Sequence, residues 1–181
     1  MNRRFFIQTT AAVAATPLLA LEQAEERVDV NFATGPWPFR ELPKLDGDAL
    51  KQRGITQAIT GSLEELLTRD IAAVNARLAS ACKASGGVLL PAGTLHPRLP
   101  AWREDLRRCH DEHEMKVIRL HPNYHGYQLD EPLFAEMLDA ILEAGLAVQI
   151  AAQMEAQRTQ HPLVQVAPVD LKPLHDLLKA R

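Results

Sequence analysis

The sequence predicts an α/β fold built on a parallel sheet, and three observations carry that reading. Short apolar runs rich in β-branched residues recur along the chain, each separated from the next by a stretch with helical spacing. Glycines and prolines punctuate the joins. The stretch Lys116 to Pro132, KVIRLHPNYHGYQLDEP, reads as a buried strand ending abruptly in a polar, ring-rich loop. Polar side chains gathered at the carboxyl end of such a strand are where α/β proteins place their ligand sites.

The first strand is predicted over Arg27 to Phe32, where Val28, Val30 and Phe32 alternate with Asp29 and Asn31. The loop TGPWPFR over 34–40 has too many prolines and glycines for regular structure. A short helix is expected over about 46–53, stopped by Gly54, and a second strand over Ile55 to Thr60. Ser62-Leu63-Glu64-Glu65 has capping-box form and opens a short turn of helix. A longer helix over about 70–84 carries Ile71, Val74, Leu78 and Ala81 on one stripe and ends at Gly86-Gly87. Val88 to Pro91 is the third strand, and a helix over about 100–114 with Trp102, Leu106, Cys109 and His113 follows.

In the fourth strand Ile118 and Leu120 point one way, and Val117, Arg119 and His121 the other. Asp130 is expected to cap a helix bearing Phe134, Met137, Leu138, Ile141 and Leu142, closed by Gly145. The fifth strand runs over Leu146 to Ala152, a long loop follows, and 170–179 form a last helix. Strands alternating with helices imply right-handed parallel crossovers, about five βα units in all.

Composition narrows the function classes. The chain has 181 residues, 46% of them hydrophobic, and a net charge of −3, enough apolar content for one core. Twenty Lys and Arg against 23 Asp and Glu leave no basic stripe of the kind a nucleic-acid partner requires. No apolar run reaches the roughly 20 residues that span a bilayer. The two cysteines, Cys82 and Cys109, are not a CxxC pair and are read as buried free thiols, with a disulfide as the alternative.

Arg3-Arg4 before Phe5 and the Ala-rich Thr9 to Leu21 stretch has the form of a twin-arginine export signal, although neither Ala20 nor Ala24 has a small residue at the −3 position. That places 1–24 outside the fold and the protein in the periplasm or beyond. The alternative is an amphipathic first helix of the domain.

The order of units, the Trp37-Pro38-Phe39-Arg40 loop, Arg119-Leu120-His121-Pro122 with Gly126, and Val148-Gln149-Ile150 resemble the amidohydrolase-related family, the branch of the amidohydrolase superfamily with metal-dependent hydrolases and aromatic-acid decarboxylases. The resemblance covers about Val28 to the end. It implies a (β/α)₈ TIM barrel with its site at the carboxyl ends of the strands, of which 27–181 supply about the first five βα units. The remaining strands are missing from the sequence, so the resemblance implies a truncated barrel with two open sheet edges. Self-association into a homo-oligomer is left open.

In the family the first strand ends in two histidine metal ligands and the fifth in another. The matching positions here are Asn31, Ala33 and Ala151, none of them imidazole. No cofactor or metal ligand is therefore predicted, although a divalent metal such as zinc serves the family. His121 and Arg119 are the candidate catalytic residues. His121 is read either as an acid–base group or as a structural histidine fixing the loop. Arg119 either binds a substrate carboxylate bidentately or forms a buried ion pair with Asp29.

Arg40, Trp37, Asn31, Asn123 and Gln149 are candidate substrate contacts, with Phe39 beside Trp37 as a pocket wall or rim plug. Gln149 and Gln153 share the inward face with Ala151. His125 is read as an exposed loop residue, and His96 and His161 as surface residues, with a place at the mouth as the alternative. The implied activity is hydrolysis of a small carboxylate, lactone or amide at the mouth. The alternatives are a decarboxylase of that type, a non-catalytic carboxylate binder, or a fragment without function of its own.

Overall fold

The computed structural model describes residues 26–42 and 46–179. The expected export signal over 1–24 lies outside the described residues. Five strands, Val28–Thr34 (β1), Gln57–Ser62 (β2), Leu89–Gly93 (β3), Val117–Leu120 (β4) and Ala147–Ile150 (β5), form one parallel sheet in chain order. Five helices of more than one turn accompany them: Gly47–Lys51 (α1), Ile71–Ala84 (α2), Trp102–Asp111 (α3), Pro132–Glu143 (α5) and Lys172–Lys179 (α6). A single turn, Pro122–His125 (α4), directly follows β4, and a 3₁₀ turn, Leu63–Leu66, directly follows β2.

The helices cover the outer face of the sheet in two apolar clusters. Phe32, Leu50, Ala58, Leu78, Cys82, Val88 and Leu89 pack under α1 and α2. Ile118 and Leu120 of β4 pack with Leu106, Cys109, Phe134, Met137 and Ile141 of α3 and α5. The α2 stripe runs through Ile71, Val74, Leu78 and on to Cys82, not Ala81, because Cys82 is one full turn beyond Leu78. Asn75 of α2 donates to Thr94 O and accepts from Thr94 N, both at 2.9 Å, while Thr94 Oγ1 donates to Arg119 O at 2.9 Å. That chain of bonds pins the exits of β3 and β4 to one helix.

The sheet is curled. Adjacent strands lie about 4.8 Å apart, so a flat sheet would separate β1 from β5 by about 19 Å. Yet Gln149 of β5 donates to Val30 O of β1 at 2.9 Å. A half-barrel brings the two together, and their side chains share its inner face.

Three sequence expectations are corrected. The first strand does not alternate cleanly. Asp29 pairs with Ala58 and Phe32 with Thr60, so Val30 and Asn31 together oppose Ile59 in a β-bulge. Asp130 is not the cap of α5; Glu131 occupies that place in extended conformation, and its carboxylate accepts from Gln128 N at 2.8 Å. His113 lies past the end of α3, which stops at Asp111 before Glu114 adopts a positive φ of 52°. Cys82 and Cys109 are both buried and free.

Candidate functional site

The carboxyl ends of β2 and β4 carry the chemistry. The Ser62 hydroxyl accepts from Glu64 N at 3.3 Å, and the Glu65 carboxylate reaches back to Ser62 N at 3.4 Å. This capping box satisfies the opening of the 3₁₀ turn and fixes the Glu65 side chain over the strand ends. Its Oε1 lies 2.6 Å from His121 Nε2. Glu65 is 1% and His121 0% exposed, so the pair sits away from bulk water. With a carboxylate on Nε2, the imidazole carries its proton there when neutral and presents the Nδ1 lone pair. That Nδ1 is buried and meets no protein partner.

Two further histidines join the cluster. His125, four residues after His121 on α4, bonds Glu65 O through Nε2 at 2.9 Å. Burial pushes its pKa down to about 4, partly opposed by that backbone bond. His96, in the β3 exit, stacks on His125 with ring centroids 4.3 Å apart and planes 4° from parallel. Its pKa is also lowered, first by burial and then by Arg69 and Arg98. The expectation that His125 is an exposed loop residue is therefore corrected: α4 folds it inward, and it is 6% exposed. His96 is likewise half-buried rather than on the surface.

Arg119 faces inward as expected, but neither a carboxylate nor Asp29 receives it. Nε donates to Gln149 Oε1 at 2.8 Å, Nη1 to Phe32 O at 2.8 Å, and Nη2 to Ile59 O at 3.1 Å and Val30 O at 3.4 Å. The last two carbonyls belong to the strands interrupted by the bulge, so the guanidinium fills the gap in the β1–β2 ladder. Burial pulls its pKa below the ordinary value, opposed by the charges of Glu65 and then Asp29. Asp29 itself accepts from Asn31 N at 2.9 Å. At 1% exposure, Arg119 is a cross-brace of the half-barrel and not a mouth residue.

The remaining candidates divide. Trp37 and Phe39 meet edge to face at 5.3 Å and line, with Arg40, a cavity of about 760 Å³ over the end of β1. Arg40 is paired with Glu155 at 3.0 Å. Asn31, Gln149 and Ala151 border one cavity of about 400 Å³ together with Gln153, so the uncharged wall expected from the sequence forms. Gln149 is already engaged on both sides of its amide, with Arg119 and Val30 O. Asn123 donates to Ala167 O at 3.0 Å and ties down the loop before α6.

A small cavity of about 80 Å³ between these groups is walled by Leu63, Leu66, Tyr124, Trp37, Met154 and Glu155. Its floor comes from the 3₁₀ turn that carries Glu65 and from α4, which begins one residue after His121. Glu65 and His121 are chain neighbours of these lining residues and are themselves buried.

Sequence reasoning treated Glu65 as a capping residue only. The signal that finds it is its place three residues after the end of β2, the same height at which His121 leaves β4. The spacing His121-x-x-x-His125, one turn of helix, was a second legible signal.

Among the described residues no group of three or more His, Cys, Asp or Glu side chains is placed to hold an ion.

No protein-family model matches the sequence, and no curated protein matches it. Solved structures do. An amidohydrolase II is 12% identical over 77% of this chain and 54% of its own, with a TM-score of 0.58. The 2,6-dihydroxybenzoate decarboxylase of Rhizobium is 16% identical over 79% of this chain and 56% of its own, with a TM-score of 0.53. The 5-carboxyvanillate decarboxylase of Novosphingobium aromaticivorans, solved with bound manganese, is 22% identical over 63% of this chain, with a TM-score of 0.51. The chain spans 36% of the length of that last protein. These likenesses establish the fold: part of a TIM barrel.

Proposed function

We propose that the chain carries the strand-end site of an amidohydrolase-type enzyme that hydrolyses a small, carboxylate-bearing aromatic ester or lactone. The observation that carries this reading is the buried contact of His121 Nε2 with Glu65 Oε1 at 2.6 Å, beside an unpartnered Nδ1. A base held by an orienting carboxylate, with its second nitrogen free, is the arrangement that activates water. His121 Nδ1 takes a proton from water as its oxygen attacks the substrate carbonyl, and returns that proton to the departing alkoxide. Glu65 holds the ring and balances the imidazolium that forms between the two steps. Trp37 and Phe39 supply apolar ring contacts, and Arg40 receives the substrate carboxylate. The decarboxylases that share the fold act on aromatic acids, which supports the ring-plus-carboxylate class of substrate.

The test is turnover of a carboxylated aryl lactone by the purified chain, alongside benzoate binding by calorimetry. Wild type is expected to hydrolyse the lactone, and His121→Ala to lose about 100-fold or more of the rate while still binding benzoate. A chain that binds benzoate but turns over no lactone is a non-catalytic carboxylate binder. A chain that does neither overturns the proposal.

A further inference from the structure

The strongest unexplained feature of the mouth is that its exposed cation is already occupied. Arg40 is 57% exposed, but the Glu155 carboxylate that it grips at 3.0 Å is only 14% exposed, tucked beside Tyr124 and Met154. Glu155 belongs to the long loop between β5 and α6. The far end of that loop is fastened by Val169 N to Ala152 O at 2.9 Å and by Asn123 to Ala167 O. The polar bonds of its middle include internal ones: Gln153 to Glu155 O, Thr159 to Ala156 O, and Gln160 in both directions to Val166. Its middle meets the loop after β1 through the Arg40–Glu155 pair and the stacking of His161 on Phe39 at 4.5 Å.

We propose that Glu155 is an internal stand-in for the substrate's carboxylate, clasping the loop over the mouth until an incoming carboxylate takes Arg40 from it. The proposal rests on the reading of Arg40 as the carboxylate receptor. Three physical points support it. A guanidinium offers one planar fork to carboxylates, and Glu155 and a substrate compete for the same face. The Arg40 half of the pair is open to water, which keeps the pair weak, so displacing Glu155 costs a ligand about fivefold in affinity, which makes the pair a clasp and not a lock. The aromatic half of the clasp, Phe39 on His161, involves the ring that a bound aryl group would meet, so ligand binding removes both contacts together.

Arg158, exposed and in the middle of the loop, provides the readout, because trypsin cuts there once the loop is released. Benzoate is titrated calorimetrically into wild type, Glu155→Gln and Arg40→Ala, and cleavage at Arg158 is timed with and without saturating benzoate. Wild type is expected to be cut several-fold faster with benzoate. Glu155→Gln is expected to be cut fast in either condition and to bind benzoate up to about fivefold more tightly. Arg40→Ala is expected to be cut fast and to bind none. The double exchange Arg40→Glu with Glu155→Arg should restore slow cleavage. Equal benzoate affinity in wild type and Glu155→Gln, with cleavage unmoved by benzoate, overturns the clasp and leaves the carboxylate site standing. Absence of benzoate binding in wild type and Glu155→Gln alike overturns the carboxylate site itself.

Discussion

Arg119 and Gln149, neighbours on β4 and β5, together hold β1 from the far edge of the sheet. The guanidinium donates to Gln149 Oε1 at 2.8 Å, and the amide passes the connection on to Val30 O at 2.9 Å. The bulge in β1 is what makes this necessary, because it leaves Val30 O and Ile59 O without regular ladder partners. Arg119, for which the sequence left substrate binding and a buried ion pair open, instead braces the backbone.

Replacing Arg119 with Met removes the cation and its bonds to Phe32 O, Ile59 O and Val30 O, of which only Val30 O keeps the Gln149 amide. A destabilisation of about 3–5 kcal/mol is expected, read as a lower urea midpoint with an unchanged slope. A substitution costing less than about 1 kcal/mol would show that the brace contributes little.

Gly61 forms the surface on which that guanidinium lies. A Cβ there would stand 2.5 Å from Arg119 Nη1 and 3.1 Å from Glu65 Oε1. Gly61→Ala is expected to cost about 1–3 kcal/mol through overpacking, and to be largely neutral in an Arg119→Met background. Additive losses in the double mutant would contradict the assignment.

His125 links the cluster to pH. Its pKa falls from the ordinary 6.5 to about 4 on folding, so between those values the unfolded chain binds the extra proton. Stability from this group is complete above about pH 6.5, declines as pH falls to 4, and is flat below. About 3 kcal/mol is at stake. His96 shifts in the same direction. Urea midpoints measured from pH 7 to pH 4 should fall more steeply for wild type than for His125→Gln, whose amide keeps the bond to Glu65 O without titrating.

The two thiols should be inert. Burial raises Cys82 to about 11 and Cys109 to about 12, and they sit on different helices. Neither is expected to react with a disulfide reagent in the native state, and both should react in urea. A fast native-state thiol would mean that α2 or α3 opens locally.

Local patterning alone carries the parallel α/β order, the apolar faces that α2, α3 and α5 turn toward the sheet, the capping box at Ser62, and the inward parity of Arg119 and His121. Each rests on local periodicity or turn chemistry, which are properties of neighbouring residues. What those inward groups meet follows from the closed fold. Glu65 and His121 stand 56 positions apart, and Arg119 and Phe32 O 87, so no local pattern encodes either bond. The bulge reset the parity of β1, the curl brought Gln149 to Val30, and the long loop delivered Glu155 to Arg40. Polar partners are chosen by whichever unsatisfied group the folded backbone leaves within reach, and that is settled only when the sheet closes on itself.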